Sequence, residues 1–192
     1  MQRLLAGIRK FRRDNYPRKK TLFARLAHNQ HPRALFITCS DSRVVPDLIT
    51  QSEPGDLFIC RNAGNMVPPY GGVSGGVSAT IEYAVAALKV RHVVICGHSQ
   101  CGAMKGVLHP EAVKDMPAVA SWLENAAAAR AVVAQSAEGL NEDQLLDYMV
   151  QENVIDIGPA VSQRIVEALG GRLEVRQGRH DVAFVLRLPA AS

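Results

Sequence analysis

The stretch Ala34-Leu35-Phe36-Ile37-Thr38-Cys39-Ser40-Asp41-Ser42-Arg43 decides how the chain is read. It opens as an apolar run of strand length and ends on a cysteine, followed by an acid and a base two residues apart. A second stretch repeats the layout. His92-Val93-Val94-Ile95-Cys96 is apolar and β-branched, and it stops two residues before His98-Ser99-Gln100-Cys101. Both read as buried parallel strands, and the carboxyl ends of such strands are where open α/β sheets bind their ligands.

Together these strand ends offer two thiols and one imidazole, from Cys39, Cys101 and His98. Zinc favours thiolate and imidazole ligands in tetrahedral geometry, and a set of three protein ligands leaves the fourth position for water. Only Ser99 and Gln100 separate His98 from Cys101, so a strand-to-helix turn lets both reach one ion while Cys39 arrives through the fold. One such set predicts one zinc per chain. The competing reading makes Cys39 and Cys101 core cysteines and His98 a surface histidine. Cys60 and Cys96, each at a strand end among apolar neighbours, read as packed thiols. His28, His31, His92, His109 and His180 lack ligand partners at metal spacing.

Asp41 and Arg43 stand beside the first ligand. A guanidinium two residues from a carboxylate can hold it by a bidentate pair and keep it off a metal. A turn salt bridge without function is the alternative.

Further segments extend the pattern: Glu53-Pro54-Gly55-Asp56-Leu57-Phe58, Arg61-Asn62-Ala63-Gly64-Asn65, Glu82-Tyr83-Ala84-Val85 and Cys96-Gly97-His98-Ser99-Gln100-Cys101-Gly102-Ala103-Met104-Lys105. With these motifs in order from about Met1 to Val154, the chain resembles a β-class carbonic anhydrase of the bacterial branch. The resemblance implies that Cys39, His98 and Cys101 hold zinc and that Asp41 and Arg43 form the catalytic dyad. It also implies that Asp41 becomes a fourth metal ligand when the dyad opens, and that the main-chain N–H of Gly102 meets the substrate oxygen. The implied reaction is reversible hydration of carbon dioxide to bicarbonate and a proton by zinc-bound hydroxide. A related zinc hydrolase acting on a small electrophile such as carbon disulfide is one alternative. A zinc-binding protein with impaired catalysis is another, and the intact Asp41 and Arg43 speak against it. Arg61 and Asn65 are expected to shape the site or a subunit interface.

Composition is compatible with this. A chain of 192 residues with 47% hydrophobic content can bury one substantial core. The N-terminal stretch meets charge at Arg3 and Arg9, too early for a secretory signal, and no run is long enough to span a bilayer. A cytoplasmic location and no membrane partner are expected, with the four cysteines reduced. The net charge of +4 is uneven: residues 1–20 carry eight Lys or Arg against Asp14 alone, leaving −3 elsewhere. Without a recognition element this basic face predicts no nucleic-acid partner. Leu4, Leu5, Ile8 and Phe11 fall at helical spacing, and the resemblance implies that this helix packs on a partner subunit of a homodimer or higher homo-oligomer.

The remaining elements alternate as an α/β protein should. Asp56–Cys60 reads as a strand, Ser78 as the N-cap of a helix running towards Lys89, and Met116–Val133 and Asn141–Val154 as further helices, the last capped by Asn141. The Gly-rich segment Gly71–Gly76 lacks phosphate-loop spacing and reads as close backbone packing. The expected fold is therefore α/β, a mostly parallel central sheet flanked by helices. Its catalytic domain spans 1–157, and an atypical C-terminal segment, 158–192, is expected to pack on it as helix, strand, strand. There Ile165, Val166 and Leu169 form a helical stripe, and Leu173, Val175, Val182, Phe184, Leu186 and Leu188 alternate. Residues 158–190 resemble the end of a sensor histidine kinase ATP-binding domain. The nucleotide-binding segments of that domain have no counterpart, so no ATP binding is expected.

Overall fold

The computed structural model describes residues 1–68 and 75–157 in full, and the backbone of 158–169, 172–177 and 182–187. It divides into two compact units, Met1–His31 and Pro32–Ser192. The first is helical: α1 (Gln2–Lys10) continues through a wide turn at Phe11–Asn15 into α2 (Tyr16–Arg18) and α3 (Lys20–Leu26). Phe11, Tyr16 and Phe23 gather there, with Tyr16 stacked on Phe23 at 5.4 Å between ring centroids. None of the residues in these helices is buried, and Leu4, Leu5 and Ile8 stand exposed on α1.

The second unit is built on a sheet of β1 (Ala34–Cys39), β2 (Leu57–Asn62), β3 (His92–Cys96), β4 (Arg172–Gln177) and β5 (Val182–Arg187). Their order is β2-β1-β3-β5-β4. The first three are parallel, and β5 runs antiparallel to both β3 and β4. Every residue of β1 is buried, as a central strand covered on both faces must be. That explains why its sequence reads as a continuous apolar run rather than an alternation.

Helices surround the sheet: α4 (Pro46–Thr50), α5 (Gly76–Glu82), α6 (Gly102–Leu108), α7 (Pro117–Leu123), α8 (Ala127–Gln135) and α9 (Glu142–Leu169). They complete two apolar clusters. In one, Leu35, Ile37, Val93 and Ile95 of the strands meet Ile81, Val85, Val154 and Ile157. In the other, Cys39 and Cys101 lie among Met66, Met104, Leu123, Leu146 and Met149. The two cysteines expected to bind metal therefore grow out of the core itself.

Several expectations hold and several need correction. Asn141 caps α9 reciprocally: the Gln144 N–H donates to Asn141 Oδ1 and the Asn141 N–H to Gln144 Oε1, each at 3.0 Å. Ser78 is no cap, because α5 begins two residues earlier behind the extended Gly75. Its continuation, Tyr83–Ala87, is a wide turn closed by the Leu88 N–H on the Tyr83 carbonyl. The Met116–Val133 segment is broken at Glu124–Ala126 into α7 and α8. Among the described residues of the chain a Cβ at Gly75 or Gly76 would meet nothing within 4 Å; residues 71–74 of the glycine-rich segment lie outside the described residues. The tail forms helix, strand, strand in its backbone, but its helix is the unbroken continuation of α9 through 157. Its apolar stripe, Ile165 to Leu186, together with Leu188, lies outside the described side chains.

Candidate metal centre

Sheet register brings the two motif stretches together. Thr38 lies opposite Cys96 across β1 and β3, and the Thr38 hydroxyl donates to the Cys96 carbonyl at 3.0 Å. One residue further on, Cys39 ends β1; two residues beyond Cys96, the chain reaches His98. Gly97 lies so close under α9 that a Cβ would come within 2.9 Å of Val150 Cγ1 and 3.0 Å of Val154 Cγ2. At Gln100 the backbone takes a left-handed turn, φ 53°, and Cys101 becomes the residue preceding α6. This geometry folds His98 and Cys101 back on one point.

The ligand atoms of Cys39, His98 and Cys101 all lie within 4.8 Å of one another, with the two sulfurs 4.0 Å apart. Among the described residues no other histidine, cysteine or carboxylate cluster could hold a metal ion. His98 uses Nδ1 on the Ser99 carbonyl at 2.9 Å, and because a carbonyl only accepts, Nδ1 is the protonated nitrogen. Its Nε2 is buried with no hydrogen-bond partner among the described residues. A buried acceptor without a partner is costly, and a metal ion satisfies it. The Cys101 thiol beside it pulls the Cys39 thiol down, against its burial and with help from the Gly64 N–H at 3.4 Å. Cys101 is correspondingly pushed up, first by its contact with Cys39 and then by burial. Two sulfurs and one imidazole nitrogen at this separation fit zinc.

Asp41 and Arg43 form the clamp that their spacing suggests. Arg43 Nε donates to Asp41 Oδ1 at 2.9 Å and Nη2 to Oδ2 at 2.8 Å, while the Arg43 main-chain N–H adds a third bond to Oδ1. These bonds hold the Asp41 carboxyl well below the usual carboxylate range. Asp41 Oδ2 stands 3.9 Å from His98 Nε2, beside the ligand triangle.

Other residues at the site were less visible in the sequence. Arg61 donates to the carbonyls of Cys39 at 3.1 Å and Asp41 at 2.7 Å, fixing the backbone on which ligand and clamp sit. Gly64, at φ +77°, brings its N–H to Cys39; a Cβ there would lie 2.8 Å from Met104 Cε and 2.9 Å from Ala103 Cβ. Asn153 donates to the Gly64 carbonyl at 3.1 Å, and Trp122 to that of Ala63 at 2.8 Å. Only the family motif pointed to Arg61. Asn153 and Trp122 carry no local signal at all. Cys60 and Cys96 are buried outside the triangle and in no disulfide, as expected of packed residues. Gly102 opens α6 with free space around its α-carbon.

Comparison with known proteins bears on the same residues. The family model described as carbonic anhydrase matches residues 34–175. The carbonic anhydrase of Synechococcus elongatus is 53% identical over 156 residues, covering 81% of this chain and 57% of that protein. The carbonic anhydrase of Pseudomonas aeruginosa is 53% identical over 155 residues, covering 81% and 70% respectively. The chain thus spans little more than half the length of the Synechococcus relative. Among solved structures, the β-carbonic anhydrase CcaA superposes with a TM-score of 0.81 at 45% identity, covering 88% of this chain and 78% of that one. One of the two tetrameric β-carbonic anhydrases of Sordaria macrospora does so with a TM-score of 0.77 at 31% identity, covering 88% and 85%.

Proposed function

We propose that this chain, which belongs to the carbonic anhydrase family, reversibly hydrates carbon dioxide to bicarbonate and a proton, with one zinc ion held by Cys39, His98 and Cys101. The observation that carries the proposal is the juxtaposition of a buried thiol–thiol–imidazole triangle with a carboxylate already locked by a guanidinium. Zinc in such a site supplies a water acidified towards neutral pH, a nucleophile for a carbon electrophile.

The protein's own groups then have defined tasks. Asp41, kept ionised by Arg43, would accept a hydrogen bond from a water held there and so orient its lone pair towards the substrate carbon. Arg43 occupies both carboxylate oxygens and keeps Asp41 from becoming a fourth ligand. Were that clamp to open, Asp41 would be free to serve as a fourth ligand and close the site. The Gly102 N–H, at the first position of α6 and unpaired within the helix, is assigned to the substrate oxygen.

A homo-oligomer, a dimer or more, accompanies this reading. It is supported by the exposed Leu4, Leu5 and Ile8 of the N-terminal unit and by the tetrameric relatives from Sordaria macrospora. Thiolate ligands and four cysteines in no disulfide suit a reducing compartment such as the cytoplasm. No helix among the described residues is long and apolar enough to cross a membrane.

Stopped-flow hydration of carbon dioxide by zinc-loaded protein tests the proposal. Zinc-dependent turnover well above the buffer rate is expected. Stoichiometric zinc with no turnover would overturn the assignment.

A further inference from the structure

The Asp41–Arg43 clamp does not stand by itself. Arg43 Nη2 also donates to the Gln100 carbonyl at 3.0 Å, so one guanidinium nitrogen bridges Asp41 and the turn between His98 and Cys101. The residue that offers this carbonyl, Gln100, sits at φ 53°, a conformation that costs a non-glycine residue free energy unless its surroundings hold it. One contact that holds it is visible. The Gln100 side-chain Nε2 donates to Asp143 Oδ1 at 3.0 Å, and Asp143 lies in the first turn of α9, a helix anchored by the Asn141–Gln144 cap. Residues 43 positions apart thereby share one strut.

We propose that Asp143, acting through Gln100, is a positioning residue for the clamp. It holds residue 100 in the turn that presents its carbonyl to Arg43, and so biases Asp41 towards Arg43 and away from the ligand triangle. The inference rests on the carbonic anhydrase reading for its consequence, but the strut itself concerns only this chain's hydrogen bonds. Arg43 is largely exposed, with 63% of its side chain accessible, so the clamp has little packing to fix it and depends on such bonds.

Asp143→Ala removes the acceptor, whereas Asp143→Asn retains an oxygen that can accept from Gln100. In the full-length protein, the Arg43 Nε–H resonance, assigned by its loss in Arg43→Lys, reports the clamp by its hydrogen-exchange protection and needs no turnover. Protection is expected to fall about tenfold in Asp143→Ala and to stay within about twofold of wild type in Asp143→Asn. Cobalt-loaded protein gives the metal-side readout. Thiocyanate binding, followed in the visible spectrum, should weaken about tenfold in Asp143→Ala as Asp41 takes the open position, and recover in Asp143→Asn. Gln100→Ala should reproduce Asp143→Ala, and serves in its place if that variant does not fold. Unchanged Arg43 protection in the alanine variants overturns the strut, as does an Asp143→Asn variant as impaired as Asp143→Ala. Failure of the wild type to hydrate carbon dioxide would instead count against the functional reading and leave the protection measurement decisive for the strut.

Discussion

The ligand triangle and the carboxylate clamp lie side by side but are held in different ways. Cys39 and Cys101 are 6% and 1% exposed and belong to an apolar cluster with Met66, Met104 and Met149. Arg43 is more than half exposed and is fixed by hydrogen bonds to Asp41 and Gln100. Groups set in a close-packed core have one arrangement, because moving them opens cavities. Groups held by bonds at the surface can exchange those bonds for water at small cost. The part of the site built to stay still is therefore the proposed metal-binding part, and the part free to switch is the clamp proposed to orient the nucleophile.

The sharpest way to break this contrast is to remove a ligand. Cys101→Ala is expected to lower zinc affinity by at least about a hundredfold, with zinc content falling from about one per chain to a small fraction and activity falling with it. Metal analysis of the purified variant decides this, and full zinc retention would show that the triangle is not the site.

The next test acts on the clamp. Asp41→Asn should keep the zinc, since three ligands remain, while turnover drops roughly a hundredfold or more. The pH dependence separates the two parts. Because Arg43 holds the Asp41 carboxyl well below the usual range, Asp41 stays ionised and contributes no change above about pH 5. Activity should therefore rise from about pH 7 to about pH 9 through ionisation of the metal's water alone. An additional rise near about pH 4 to 5 in wild type would mean that the clamp is looser than its bonds to Arg43 indicate.

Gly64→Ala probes the seam between core and loop. The new Cβ would meet Ala103 Cβ at 2.9 Å, and the φ of +77° disfavours any side chain, so a loss of about 2–4 kcal/mol is expected in denaturant unfolding. The Gly64 N–H would also be drawn off Cys39. A variant as stable as wild type would show that this loop relaxes freely and does not belong to the rigid part.

This division between core and surface also separates what the sequence discloses from what it hides. β1 is legible because a strand buried on both faces must be apolar throughout, β3 because of its β-branched run, and the ligands because they follow directly at the strand ends. Asp41 and Arg43 were legible because they are two residues apart. Asn153 on the Gly64 carbonyl, Trp122 on that of Ala63 and Asp143 on Gln100 were not, since each partner is brought from another helix and no periodicity records it. Ser78 misled for a related reason: a serine before an apolar run is a fair cap signal, but the chain reaches helical geometry earlier, behind Gly75. The continuation of α9 past 157 was hidden because two sequence resemblances change there while the backbone does not.

The smallest expected effect lies on the surface side, at the start of α9. His109 Nε2 meets Glu142 Oε1 at 2.6 Å and Nδ1 lies 3.5 Å from Glu111 Oε1, tying the end of α6 to the turn that carries Asp143. The hydrogen bond to Glu142 raises the His109 pKa, with Glu111 adding to it. A group whose pKa is raised on folding contributes stability that is fully present below its unfolded value, about 6.5, and is lost as pH rises through the folded value. The pair is solvent-exposed, so screening keeps the contribution small. The melting temperature of wild type, relative to that of His109→Gln, should therefore be higher at about pH 6 and should converge with it by about pH 8.5. That gap should shrink in high salt. A gap that instead widens with pH would place the stabilising form at neutral histidine, and would mean that the bond to Glu142 is made by an uncharged ring. Should Arg43 protection also change over the same pH range in wild type but not in His109→Gln, the surface contacts around α9 form one connected support for the clamp, rather than two that happen to share a helix.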